Sequence, residues 1–266
     1  MQSMTLDAIR HHAPSVFAER PRDTVSAKYR FFPTASVVEG LMGQGFLPVR
    51  AQQSMVRLSD RQDFARHMLR FRHTSMTDSA QGTDVPEIVL TNSHDGTSAY
   101  RISLGLYRVI CTNGLVAQSA NIEEVRVRHS GRGTLIDDVI EGSYRVIEQA
   151  PKLLEQVTNW KQLPLSPLEQ SALAEAALGL RETTLTITPQ SLLVPRRSAD
   201  GRGDEVRDTW LTMNVVQENL MRGGATGHSQ QGKRRRLRGI ASVDTDTKIN
   251  RALWVLTERL AALKAG

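Results

Sequence analysis

The chain is expected to adopt an α+β fold: an antiparallel β meander with a basic face packed by helices, followed by a mainly helical C-terminal half. Three observations carry this. Short runs of period two, such as HMLRFRH (67–73) and EVRVRH (124–129), fill the first half. Knots of turn formers separate them, NSHDG at 92–96 and TNG at 112–114. From about residue 134 the apolar spacing turns helical. The 266 residues are read as a single α+β domain over 1–266, sheet-rich over 25–130 and helical over 134–266, with a flexible basic loop at 223–240.

The elements follow in order. Thr5 to Ala18 suits a short helix and Lys28 to Phe32 a strand. Thr34 is a favoured N-cap for a helix over Ala35 to Met42, which Gly43 and Gly45 end. Leu47 to Ser59 reads as a strand, His67 to His73 as a clearly alternating one, and Thr74 to Pro86 as a polar loop. Glu87 to Thr91 is apolar and β-branched. Ser98 to Cys111 is long for one strand, and Gly105 in its middle suggests a bulge or bend. Thr134 opens a long helix reaching Trp160. The break LPLSP (163–167) precedes a helix starting at Ser166 or Pro167, and the last helix runs from Asp246 to Lys264.

Composition narrows the function. Hydrophobic residues make up 39% of the chain and no apolar run approaches the length of a membrane span. The N-terminal stretch has no apolar core of signal-peptide length. The single cysteine, Cys111, excludes a disulfide framework, so a cytoplasmic setting is expected. Net charge is +6, unevenly placed. Lys and Arg outnumber Asp and Glu by 15 to 12 over residues 1–130 and by 12 to 7 over 201–266, while 131–200 holds 7 against 9. That asymmetry suggests a polyanionic partner.

Period two puts Arg70 and Arg72 on one face of their strand with Leu69 and Phe71 on the other. Arg126 and Arg128 alternate likewise with Val125 and Val127, and Arg101 stands between Tyr100 and Ile102. Five arginines on one open sheet face would suit a sugar-phosphate backbone, which guanidinium groups grip bidentately. A second basic cluster, GKRRRLRG (232–239), places Lys233, Arg234, Arg235, Arg236 and Arg238 within six residues, an arm-like pattern. These ten cations are the expected nucleic-acid-binding residues.

Catalytic patterns are weak. His94, Asp95 and Ser93 are neighbours on a tight turn and point different ways, whereas triads are assembled from distant segments. A turn role is therefore expected of His94 and Asp95, and Cys111 is expected to be a small buried hydrophobe. No histidine pair has zinc-ligand spacing, and neither a phosphate-cradling GxxxxGK[ST] loop nor GxGxxG is present. No catalytic residue, metal or cofactor is assigned. In TWLTMNVVQENLMRGG (209–224) Trp210, Asn214, Gln217 and Met221 share a helical face, whose amides need partners such as a neighbouring loop.

The stretch LTNSHDGTSAYRISLGLYRVICTNGLV, then LLVPRR (192–197), TWLTMNVVQENLMRGG and INRALWVLTERL (249–260), resembles the phage- and plasmid-borne family called domain of unknown function 932. The blocks span about Arg30 to Leu260. The resemblance implies a mobile-element context without fixing a mechanism. The order of basic strands and long helix is also similar to the core of single-strand annealing proteins, a fold-level analogy. The expected function is thus DNA binding, in single-strand annealing or recombination without nucleotide hydrolysis. Single-stranded DNA is the expected partner and a ring the possible oligomer. The alternatives are a metal-dependent nuclease built on His94, Asp95 and Glu218, and a decoy that binds a host defence protein.

Overall fold

The computed structural model describes residues 3–56, 59–76, 84–108, 114–116, 124–129, 135–196 and 207–265. The fold is α+β, as the alternation and the later helical spacing require. Contacts divide the chain into two compact units, Met1–Ala150 with Ala241–Asp244, and Pro151–Ile240 with Thr245–Gly266.

The first unit is built on an antiparallel sheet. After α1 (Leu6–His12), a 3-10 turn at Pro14–Phe17 and α2 (Thr34–Gly43) come β1 (Phe46–Gln53), β2 (His67–His73), β3 (Asp84–Asn92), β4 (Tyr100–Arg108), β5 (Gly114–Val116) and β6 (Val125–Val127). The order is β1-β2-β3-β4-β5, with β6 also on β4. Pairing sets His67 opposite Asn92, Thr91 opposite Arg101, and Arg101 opposite Arg126. Leu69, Phe71, Ile88, Leu90, Ile102 and Leu104 then share one face, all fully buried with Val37, Val38 and Leu41 of α2 and Val139 and Val146 of α3 (Leu135–Ile147). Gly142 lets α3 come close: a Cβ there would lie 2.8 Å from Val125 and 3.0 Å from Ile102. The opposite face is covered too, by a buried cluster of Met68, Val89, Tyr107 and Val243.

The second unit holds the rest of α4 (Ala150–Lys161), then β7 (Pro164–Leu165), α5 (Pro167–Leu178), β8 (Thr186–Ile187), β9 (Arg207–Asp208), α6 (Thr209–Arg222), β10 (Thr226–His228), β11 (Arg234–Arg236) and most of α7 (Val243–Ala265). Ser166 caps α5 with a capping box through Glu169, and Pro167 occupies the first helical position. The core gathers Trp160, Trp210 and Trp254, with ring centroids 4.6 Å apart for Trp160–Trp254 and 6.2 Å for Trp210–Trp254. The amides of α6 have partners. Asn214 donates to Trp210 O in its own helix, Gln217 donates to Asn250 Oδ1, and Asn219 holds the carbonyls of Leu192 and Val194.

Several sequence expectations change. The long helix over 134–160 is two helices, α3 and α4, parted at Glu148–Gln149. Lys28 to Phe32 forms no strand. Gly105 marks no bulge, since the β3–β4 register runs unbroken through it. It makes room for the Tyr107 ring instead, whose Cε2 would be 2.6 Å from a Cβ. The basic segment at 223–240 is an ordered hairpin rather than a flexible loop. Cys111, Thr112, Asn113 and Thr134 lie outside the described residues.

Candidate functional site

One end of the main sheet carries a buried polar knot. β2 begins there, β3 ends, β4 begins, and β6 has just ended, so His67, Asn92, Tyr100 and His129 converge from four strands. Thr34 stands at their centre. Pro33, not Thr34, occupies the N-cap of α2, which frees the Thr34 hydroxyl. Its Oγ1 lies 3.0 Å from His67 Nε2, 3.1 Å from His94 Nε2, 3.1 Å from Tyr100 OH and 3.2 Å from Asn92 Nδ2. Thr34, His67, Asn92, Ser93, His94 and Tyr100 are all fully buried.

The acceptors assign the protons. The Ala65 carbonyl, 3.2 Å from His67 Nδ1, only accepts, so His67 carries its proton there, with Ser15 Oγ 2.9 Å away. Its bare Nε2 accepts from the Thr34 hydroxyl. His94 Nε2–H and the Asn92 amide then donate to Thr34, and Tyr100 OH donates to Phe32 O at 3.1 Å. This leaves His94 Nδ1 as a bare buried acceptor, and no partner meets it among the described residues. His129 Nε2 lies 2.9 Å from Asn92 Oδ1 and its Nδ1 3.2 Å from Arg30 O. Burial, with His94 beside it, pushes His67 down to about 3. Burial and His129 push His94 down to about 4, and burial lowers His129 too. His67 and His94 are therefore neutral at pH 7.

The NSHDG segment turns as expected, and Gly96 has a φ of +79°. Asp95 Oδ1 accepts from Ser93 Oγ at 2.6 Å, Thr97 Oγ1 at 2.7 Å and Thr97 N at 3.0 Å. Those bonds outweigh burial and lower its pKa. His94 lies in that bend and is also part of the buried knot. Glu218, the third member of the nuclease alternative, sits on α6 in the other unit, 3.2 Å from Arg222. Among the described residues no group of three His, Cys, Asp or Glu has metal-binding geometry.

The sheet arginines share one face, as period two requires, but the face is not an open groove. Arg70 is buried and Arg72 largely so, and each lies 2.7 Å from Glu87, which is fully buried. The Arg70 guanidinium stacks 3.1 Å above the Tyr107 ring. The expectation of five exposed arginines fails here for two reasons. Glu87 sits inside an apolar run yet points to the arginine side, and chain returning at Ala241–Asp244 covers the face. Arg101, Arg126 and Arg128 are less covered. Glu124 lies 3.7 Å from Arg101 and 3.2 Å from Arg126. Burial and the facing Arg126 lower the pKa of Arg101.

The second basic cluster is ordered. β10 and β11 pair as a hairpin, with β8 on the far side of β10. Ser229 N donates to Lys233 O at 2.9 Å and Gly232 N to Ser229 O at 2.8 Å. Gly232 has a φ of +75°, so the tip is a three-residue loop, Gln230-Gln231-Gly232. The base is held firmly. Leu237 is buried, and Arg181 donates to the carbonyls of Leu220 and Arg238. A Cβ at Gly223 would lie 2.4 Å from the Leu237 carbonyl oxygen, so glycine is required there. Lys233, Arg234, Arg235, Arg236 and Arg238 are all exposed. Among the described residues no carboxylate forms an ion pair with them.

Two clusters of chemistry thus define an α+β protein: a closed knot of neutral histidines and an exposed arginine hairpin. The chain belongs to the family described as domain of unknown function (DUF932), which matches residues 21–254. It is similar to UPF0380 protein YafZ of Escherichia coli strain K12, with 40% identity over 259 residues, covering 97% of this chain and 91% of that protein. UPF0380 protein YfjQ of the same strain is 39% identical over the same shares. No solved structure matches. No helix among the described residues is long and apolar enough to cross a membrane.

The sequence reading missed Thr34, His67, Asn92, Tyr100 and His129 as a group. Each was visible as a type, but only strand order and register bring them together.

Proposed function

We propose that this chain binds DNA through the β10–β11 hairpin, without nucleotide hydrolysis, in the recombination of a plasmid or phage. The observation that carries this is five exposed cations on a ribbon whose base is fixed by Arg181, Leu237 and Gly223. A fixed ribbon loses less conformational entropy on binding than a disordered arm. Guanidinium groups suit phosphate oxygens. The sheet face no longer supports a single-strand annealing groove, because Arg70 and Arg72 are committed to Glu87. Arg128 is exposed beside Arg101 and Arg126, which share Glu124, and the three form an auxiliary basic edge. A cytoplasmic setting goes with this proposal.

The test is a salt titration of DNA binding, single-stranded and duplex, for the wild type beside a variant with glutamine at 233, 234, 235, 236 and 238. Removing one cation that meets a phosphate should flatten the slope of log affinity against log salt by about 0.7 for single strands and about 0.9 for duplex. Equal affinities and slopes would remove the hairpin from the reading. Absence of binding to either form at low salt would sink DNA binding and bring the defence-protein decoy forward.

A further inference from the structure

The hairpin registers set a difference between its two faces. Thr226 pairs with Arg236, and His228 with Arg234, so Arg234, Arg236, His228 and Thr226 share one face. Thr186 of β8, opposite His228, extends it. Arg234, Arg236, His228 and Thr186 are exposed. Arg235 and Gly227 lie on the other face, where Gly227 abuts the side chains of Ile187 and Leu185. One face therefore carries two exposed arginines, and the other carries the exposed Arg235 beside the half-buried Leu185 and Ile187.

We infer that this ribbon enters the major groove of B-form duplex DNA, with Arg234 and Arg236 facing the groove and Arg235 turned away. The inference rests on the DNA-binding reading and specifies its substrate. Three arguments favour a duplex. Strand rise is about 3.4 Å per residue, so Arg234 and Arg236 stand about 6.8 Å apart, close to two steps of about 3.4 Å along a duplex. A single strand has no such fixed rise. Sequence-tolerant single-strand binders stack bases on aromatic side chains, and residues 223–240 contain no Phe, Tyr or Trp. Finally, the major groove of B-DNA, about 12 Å wide, admits a two-stranded ribbon, whereas the RNA major groove is deep and narrow. Gln230 and Gln231 at the tip are exposed, and glutamine amides match the adenine edge in that groove.

The experiment measures binding to a DNA duplex of about 20 base pairs, either of its single strands and the matching RNA duplex. It uses the wild type, an R234Q/R236Q double variant and R235Q, with circular dichroism as the folding control. The DNA duplex should bind at least about tenfold tighter than the other two, and R234Q/R236Q should weaken it at least about tenfold. R235Q, which removes one of the five ribbon charges from the far face, should weaken it clearly less than the double variant does, and guanine N7 methylation, which blocks the major groove, should interfere. Equal or tighter binding to the single strand or to RNA overturns the inference while sparing nucleic-acid binding. So does an R235Q loss as large as that of the double variant, which would mean that charge matters and the face does not. Binding to none of the three by the wild type would instead mark failure of the underlying DNA reading.

Discussion

Arg70 and Arg72 on β2, and Arg234 and Arg236 on β11, are the same residues at the same spacing in the same kind of element, yet their fates are opposite. β2 lies between β1 and β3 in the main sheet, and its arginine face is roofed by Tyr107 and Val243. β11 is the edge of a three-stranded sheet, and nothing among the described residues covers its arginines. The first pair needs a countercharge and has Glu87. The second pair stays in water, where a row of cations also guards an open edge against unwanted strand pairing. Alternation in a sequence fixes which residues share a face. Whether that face is buried is decided by strand order and by chain that arrives from far away.

The largest effect should come from breaking the buried set. Glu87→Ala leaves two largely buried guanidinium groups without their carboxylate, and removing one partner of a buried ion pair costs about 3–5 kcal/mol. Chemical denaturation should show the first unit losing stability by that order. A loss below about 1 kcal/mol, the level of an exposed pair, would mean that the arginine face is open after all and would make it a DNA surface again.

Acid should produce the next effect, and it acts on the histidine knot of the first unit. His67 and His94 have folded pKa values of about 3 and about 4, below the unfolded value of about 6.5. The unfolded chain therefore binds more protons below pH 6.5, so stability rises with pH in that window and is lost as pH falls. Each histidine should cost about 1.4 kcal/mol per pH unit between pH 6.5 and its folded value. Urea midpoints at pH 7.5, 6 and 5 should fall steadily for the first unit. A flat profile down to pH 5 would show that the rings titrate as exposed ones do and that the knot is not closed.

Much of the architecture was legible in the sequence. The strand at 67–73 alternates so strictly that element type and facing followed directly, the runs 87–91 and 98–111 were readable as strand-forming, and Ser166 or Pro167 after the LPLSP break marked the start of α5. The NSHDG turn was readable because Gly96 needs a positive φ. The site was less legible, for physical reasons. Thr34 looks like a cap, and its role as hub depends on His67 and His94 arriving from 33 and 60 residues away. The basic run at 233–238 looks like a loop because its apolar content is one leucine. Its strand character comes from pairing with Thr226–His228 and from the Gly232 turn, and neither raises local hydrophobicity.

The smallest effect expected is on the stability of the hairpin, and it completes the contrast with Glu87→Ala. Arg234 and Arg236 project from an edge strand into water, and the interactions that hold the ribbon belong to other groups. These are the backbone ladder to Thr226–His228, the buried Leu237, the Arg181 bonds and the close approach at Gly223. Replacing both arginines with glutamine removes charge without emptying a core site or orphaning a buried partner. Surface changes of that kind move stability little, so Tm should shift by less than about 2 °C, measured by differential scanning calorimetry. A large drop would mean that these side chains hold the ribbon together. The arginines would then be structural, like Arg70 and Arg72, and weaker DNA binding in the same variant would no longer report a direct interaction. An unchanged Tm lets any fall in affinity be assigned to the arginines themselves.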